Sequence, residues 1–354
     1  LRNSSAASDV YKRQPIHQLN NNLLNNHLIL YHHKATLMDI KNKKENTMQP
    51  FEVGDIFLGC TELNDKVDDH KGDGRILQYD RDLELKGVLW TEGTEHLVIG
   101  LTIDPKGVLW GFDMHNHVVI RVSPDGEQLP HHHFANRAFS NVTFDHEGNV
   151  YLGEALVGNT PYPGSYMKRL PGTDLLGEAN IYKYDNQFNL LEVYDVAYSP
   201  EFHQFKGITH STMHPSGEFI AYTTEIGKKI MRFDIKKSKQ MEDLLVLPGD
   251  LTDQNVAIAV NYLNDGRLLH SRGDRIEILD DEGNIIQTID LEEYGWGIAQ
   301  LSPSHDQEHI FTANIFTGVA MKIRISDGAI MGSIDTGYKA PKRSLAGIAE
   351  YGSG

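Results

Sequence analysis

The chain has 354 residues, 40% of them hydrophobic and 23% charged, which fits one large domain or two ordinary ones. It carries a formal net charge of −16 and one cysteine, Cys60, so an intrachain disulfide is excluded and a reducing, cytoplasmic setting is expected. No apolar run reaches the roughly 18 residues of a membrane span.

The first residues stand apart from the rest. SSAASDVYKRQ, Ser4 to Gln14, reads codon for codon as a transposase-type sequencing adapter, so residues 1–14 are set aside as a scar. Residues 15–48 are rich in Asn, Lys, Ile and Leu. AT-rich untranslated sequence read in frame has that composition, and so does a disordered leader. The start is expected at Met38 or Met48. Residues 1–47 hold seven Lys or Arg against three Asp or Glu, a net of +4, so the remainder carries −16 − 4 = −20. An acidic body repels phosphate backbones and anionic headgroups, so nucleic acid and membrane surfaces are not expected partners. Cations and neutral or cationic small molecules are.

From residue 50 onward the chain shows short runs of Val, Ile, Leu, Phe and Tyr bounded by Gly, Asp, Asn and Pro, the pattern of strands and turns. The runs repeat about every 40 residues, the length of a four-stranded blade. IGLTIDPKGVLWGFDMHNHVVIRVSPDGEQL is one copy. Further copies begin at SNVTFDHEGNVYLGEA, GITHSTMHPSGEFIAYTTEIG, NVAIAVNYLNDGRLLHSRGD and WGIAQLSPSHDQEHIFTANIFTG. DIFLGCTE and GRILQYDRDLELKGVLW supply three strands of a sixth, and SLAGIAEYG near the C-terminus supplies its missing first strand. The expectation is an all-β, six-bladed β-propeller over residues 50–352, its ring closed by the C-terminal strand joining the first blade. Such closure removes the open sheet edge.

The blade GVLWGFDMHNHVVIRVSPDG resembles NHL-type blades and those of streptogramin lyases, and the six-blade count resembles the gluconolactonase and regucalcin family. The resemblance covers the whole domain. It implies the fold and, less specifically, a metal-dependent lactonase, esterase or lyase, because the architecture hosts many activities.

Antiparallel strands place the start of each inner strand, the end of each second strand, and the loop that follows it on one face. The two longest internal loops are of that type: Thr61–Gly74 and Ala155–Ala179. Loops of this length are usually functional or disordered. Tyr162, Tyr166 and Arg169 in the second make a candidate substrate lid. The first has an EF-hand-like Asp69, Asp73 and Gly74, but Lys71 stands where an oxygen ligand is needed.

Aligning the second-strand ends gives the column Glu62, Asp113, Glu154, Glu225, Arg272 and Asn314. Aligning the inner-strand starts gives His96, Asn141, His210, Asn255 and Trp296. Carboxylates, amides and imidazoles around a channel suit a divalent cation that polarises a carbonyl or activates water. Glu62, Asn141, Asn255 and Glu154 are the expected metal ligands. Calcium is the expected ion, with magnesium, manganese and zinc as alternatives. His210, Glu154, Glu225 and Arg272 are the catalytic candidates, Arg272 as an anchor for a substrate carboxylate or phosphate.

The gluconolactonase likeness supports Asn141 and Asn255 but offers Trp296 where that family has Asp. Its Glu is met by Glu62 or Glu92. Streptogramin lyases pair a His with a metal-bound Glu, which His210 or His270 with Glu154 or Glu225 would imitate. Each residue also has an ordinary reading. Asp113 is a turn-amide acceptor, His210 a core histidine, and His131–His133 an exposed connection. A non-catalytic propeller that binds a protein or small ligand through the same face is the alternative function. No P-loop, nucleophile elbow or dinucleotide fingerprint is present.

Overall fold

The computed structural model describes residues 44–161, 163–199, 207–224, 227–252, 255–337 and 344–352. Among them the chain is built of strands, with one short 3-10 turn at Glu292–Tyr294. No helix among the described residues is long and apolar enough to cross a membrane.

The strands form six antiparallel blades. From the axis outward, the first blade runs Leu345–Glu350, Ile56–Leu63, Gly72–Tyr79 and Leu85–Trp90. The C-terminal strand thus supplies the inner strand of the first blade, with Ile56 opposite Glu350, and this closes the ring. The third blade is Phe139–Phe144, Val150–Glu154, Asn180–Tyr184 and Leu190–Asp195. The fifth and sixth follow the same plan from Val260–Tyr262 and Ile298–Pro303. In the fourth blade the outer strand is split into Lys239–Gln240 and Leu245–Val246.

The second blade departs from the expected four strands. Ile99–Ile103, Leu109–Asp113 and Val118–Val122 form a three-stranded sheet, and the fourth position is held only by a bridge between Val122 and Gln128. Pro130 has no N–H to continue the ladder, so the chain leaves the sheet there.

Burial explains the composition of each layer. Second strands are sandwiched between neighbouring blades, so Leu109–Asp113 and Val150–Glu154 are buried at every position. Outer strands touch solvent, and Leu190–Asp195 buries only Tyr194. Each of the six blade interfaces holds its own apolar cluster, such as Ile56, Leu58 and Tyr79 against Phe311 and Ile334 between the first and last blades. Burying one such side chain is worth about 1.5–3 kcal/mol.

The inner strands contact one another in sequence round the axis, but their free edges do not pair as sheet. Polar side chains satisfy those edges instead. Thr143 Oγ1 accepts the Met213 amide at 2.9 Å, and Thr212 Oγ1 accepts the Tyr262 amide at 3.1 Å. Gln300 donates to the Leu101 carbonyl at 3.1 Å and accepts the Ile348 amide at 3.1 Å, tying three blades together.

Candidate functional site at the propeller mouth

Among the described residues the column at the second-strand ends exists as aligned, and three of its members, Asp113, Glu154 and Asn314, are bound to backbone. Asp113 is fully buried. Its Oδ2 accepts the amides of Glu95 and His96 at 2.9 and 3.1 Å, and its Oδ1 accepts those of His115 and Asn116. Glu154 accepts the amides of Glu178 and Asn180 at 3.1 and 3.2 Å, with Arg137 at 3.4 Å. Burial outweighs these contacts and raises its carboxyl above the ordinary value. Asn314 accepts the amides of Phe316 and Thr317. Glu62 is half-buried beside the loop that follows it. Glu225 lies outside the described residues.

Arg272 is turned onto a carboxylate of its own blade. Its Nη1 lies 3.0 Å from Glu277 Oε1, and Nη2 reaches Asn255 Oδ1 at 3.3 Å. Burial would raise the Glu277 carboxyl, but His270 and Arg272 outweigh it and hold the group down at about 2. Asn255 donates to the carbonyls of Pro248 and Asp250. Asn141 donates to the Ile208 carbonyl at 2.9 Å and accepts from Ser211, so it laces the third blade to the fourth. His210, on an inner strand, is pushed down to about 4 by burial, which outweighs hydrogen bonds to the backbone of Ala299 and Ile258 that act the other way.

A latch next to this column was not anticipated. The hydroxyl at the end of a second strand bonds the start of the following blade's inner strand or the residues just before it: Thr61 to the His96 carbonyl at 3.2 Å, Thr223 to Ile258, and Ser271 to Ile298 at 2.8 Å. Thr61 and Ser271 each immediately precede a column residue, which is the signal that could have found them.

The long loop lies across the mouth and is pinned there at its base by a short hairpin, Val157–Gly158 with Gly177–Glu178. Met167 and Leu176 pack into an apolar cluster with Met114, Leu156, Val256 and Ile258, flanked by Trp296. Among the described residues this cluster sets apolar side chains across the mouth where a polar ring was expected. Tyr166 beside Met167 is 57% exposed, whereas Met167 is 6% exposed. Arg169 bends back onto the carbonyls of Asn159 and Asp174 within its own loop. Tyr162 lies outside the described residues.

On the side of the first two blades the loops bring His96 of the inner-strand column together with polar residues that sequence reasoning did not group with it. Asp68, His70, His96 and His115 are all buried. The His96 ring stacks on His115 at a centroid distance of 4.7 Å and an angle of 10°, and His70 lies 5.3 Å from His115. Asn116 donates to both Asp113 Oδ2 and His96 Nδ1 at 2.9 Å. This makes Nδ1 an acceptor and leaves the His96 proton on Nε2, facing Asp68 at 3.2 Å. Burial, then the charges of His70 and His96, push the His115 imidazole well below its ordinary value. It stays neutral near pH 7.

The ligand atoms of Asp68, Asp69 and His70 all lie within 4.8 Å of one another. His70 Nδ1 is 2.7 Å from Asp69 Oδ1. Asp68 Oδ2 also accepts the Tyr166 amide at 3.0 Å and the Ser165 hydroxyl at 3.3 Å. Lys168 donates its amide to the His115 carbonyl at 2.8 Å. The long loop is thereby stapled over this cluster. Neither Glu62 nor Glu154 belongs to a cluster of three or more carboxylate, imidazole or thiol groups at this spacing among the described residues.

No protein-family profile matches the chain, and no curated protein matches it in sequence. Solved structures do match in shape. A chain of the nidogen/laminin complex is 12% identical, with a TM-score of 0.56, 83% of this chain and 97% of that one being covered. A protein of unknown function from Bacteroides caccae is 12% identical with a TM-score of 0.55, over 85% and 100% of the two chains.

The chain is a six-bladed β-propeller.

Virginiamycin B lyase from Staphylococcus aureus and a gluconolactonase from Xanthomonas campestris also match this propeller, with TM-scores of 0.47 and 0.48 at 15% and 13% identity. The former covers 71% of this chain and 73% of that one, the latter 67% and 75%.

Proposed function

We propose that this propeller is a cytoplasmic, metal-dependent hydrolase or lyase acting on a small molecule at the mouth, beneath the long loop. The observation that carries the reading is the meeting of Asp68, Asp69 and His70 donors within 4.8 Å, walled by His96 and His115 and roofed by Tyr166. The donor chemistry fits a divalent ion: two carboxylates and an imidazole, with Asp69 partly open to solvent. A mixed oxygen and nitrogen set suits zinc or manganese better than calcium, which prefers oxygen alone. Such an ion, when bound, polarises a carbonyl or lowers the pKa of a bound water.

The chain's own residues supply the rest. His115 is neutral, so its ring can take a proton without first losing one, although its depressed pKa makes it a weak base. His96 is fixed in one tautomer and orients Asp68. The loop around Met167 excludes water while closed and has to lift for substrate to enter.

The test is hydrolysis of a panel of lactones and aryl esters by protein treated with EDTA and then reloaded with zinc or manganese. Activity that EDTA removes, reloading restores and His70→Ala abolishes is expected. A complete lack of turnover under all conditions overturns the reading. The apolar plug in the mouth favours a second reading in that case, a non-catalytic module that binds a protein or small ligand with the same loops.

A further inference from the structure

On the face opposite the mouth, between the second and third blades, lies a cavity of about 260 Å³. It lies beside the third strand of the second blade, beyond which the sheet has only the Val122–Gln128 bridge. The Leu129 amide still bonds the Arg121 carbonyl at 2.7 Å, but the ladder stops at Pro130 and the chain departs through His131–His133. Phe134 turns inward and is buried.

The third blade reaches into the gap with Phe188. Phe188 occupies the turn position held by Gly126, Gly283 and Gly328 in other blades, and it adopts φ 67° where they have φ 84°, 85° and 73°. A left-handed conformation is costly for an aromatic residue. The ring offsets this by packing on Trp110 at 5.7 Å and Phe134 at 5.1 Å.

The walls are aromatic and the local charge is positive, against the sign of the whole chain. Trp110, Phe144 and Phe188 line the cavity together with Lys106 and Arg121. The Arg121 guanidinium sits 4.7 Å from the Phe188 ring centroid, and one of its N–H groups bonds the Pro130 carbonyl at 2.9 Å. Among the described residues no carboxylate forms an ion pair with Arg121 or Lys106. Asp104, which also lines the cavity, spends Oδ1 on the Lys106 and Val108 amides and Oδ2 on the Trp110 indole N–H at 3.0 Å. Its oxygens bond its own turn and the Trp110 indole; its charge acts on Arg121, and with Lys106 the lining keeps one positive charge in excess.

We propose that this cavity binds a small aromatic carboxylate, its ring against Phe188 and Phe144, which are partly exposed, and its carboxylate on Arg121 and Lys106. The guanidinium fork matches a planar carboxylate. The volume lies just under the roughly 300–1,000 Å³ of pockets for larger ligands, which limits the guest to a single or fused ring. The site is separate from the mouth and does not depend on the function proposed there.

Calorimetric titration of the full chain with benzoate and phenylacetate tests it, with benzyl alcohol and acetate as the neutral and non-aromatic controls. Saturable one-to-one binding of the aromatic acids is expected, with both controls weaker by at least about tenfold, or 1.4 kcal/mol. Arg121→Gln and Phe188→Gly should each weaken it by a similar factor. Lys106→Gln, which changes an exposed residue, should weaken binding as well and keeps the test valid if Arg121→Gln fails to fold. Lack of saturable binding to the wild-type chain overturns the proposal. So does binding that benzyl alcohol equals, or that a folded variant leaves unchanged.

Discussion

Asp68 and Tyr166 stand 98 positions apart, and the carboxylate of the first accepts the backbone amide of the second at 3.0 Å. The same oxygen faces His96 Nε2. Through this one carboxylate the two long loops are joined to each other and to the second blade. The long loop is therefore held shut by a charge-assisted contact at its tip as well as by its apolar anchors.

Removing that carboxylate should loosen the loop before it unfolds the ring. Hydrogen bonds to charged groups contribute about 1.5–3 kcal/mol each, so Asp68→Ala should cost about 2–4 kcal/mol once partial replacement by water is allowed for. Lys168 and Arg169 are exposed on the loop, which offers trypsin two sites. Limited trypsinolysis at this loop should speed up severalfold in the variant. An unchanged cleavage rate would show that Met167 and Leu176 hold the loop alone.

Stability should fall in two stages on acidification. His117 and His210 are pushed down to about 4 by burial, from an ordinary 6.5. Between those values the unfolded chain binds more protons than the folded one, so this contribution is present above pH 6.5 and is lost as pH falls toward 4. Glu277, held at about 2, adds a second loss as pH falls from 4.5 toward 2. Melting temperature followed from pH 7 to 4 should drop, and His210→Gln should flatten the decline. A melting temperature that is level over this range would refute the assignment.

The Arg272–Glu277 pair is buried and costly to break from one side. Arg272→Ala leaves the Glu277 carboxylate without its main cation and should destabilise the fold by about 3–5 kcal/mol. Replacing both, as Arg272→Met with Glu277→Leu, should recover most of that loss. Urea denaturation of the two single variants and the double one separates the cases. Additive losses would mean that the pair is not coupled.

Leu83 shares with Phe188 the turn position that favours glycine, at φ 67°, and it inserts into the groove between the first and sixth blades. Leu83→Gly trades about 1 kcal/mol of backbone strain for about 2–4 kcal/mol of packing, so it should destabilise. Ser238, at φ 49° in the fourth blade, is exposed, and Ser238→Gly should be neutral or stabilising by up to about 1 kcal/mol. Thermal melts of the two variants should move in different directions.

Sequence reasoning recovered what repeats. The six blades, the strand Leu345–Glu350 that closes the ring, and the column through Asp113, Glu154 and Asn314 all follow from strand and turn patterns recurring along the chain. The turn-amide role of Asp113 was also within reach, because an acidic residue before a tight turn has amides nearby to accept. What escaped was the assembly of His70, His96 and His115. Those residues come from two blades and a loop, and only the path of the loop brings them together. Met167 escaped for the same reason: a methionine in a polar, Gly- and Pro-containing loop carries no periodic signal that it will fill the mouth. His115, in the turn between the second and third strands of its blade, gains its place through residues distant in sequence.

The central claim is a divalent ion at Asp68, Asp69 and His70, and the most direct measurement is the melting temperature with EDTA and then with excess zinc or manganese. A ligand that binds only the folded state stabilises it by about 2.7 kcal/mol at a hundredfold excess over its dissociation constant. The wild-type melting temperature should rise with the added ion, and the rise should vanish in Asp69→Asn/His70→Ala. A wild-type chain that responds to neither ion, or a double variant that responds as fully as the wild type, would contradict it.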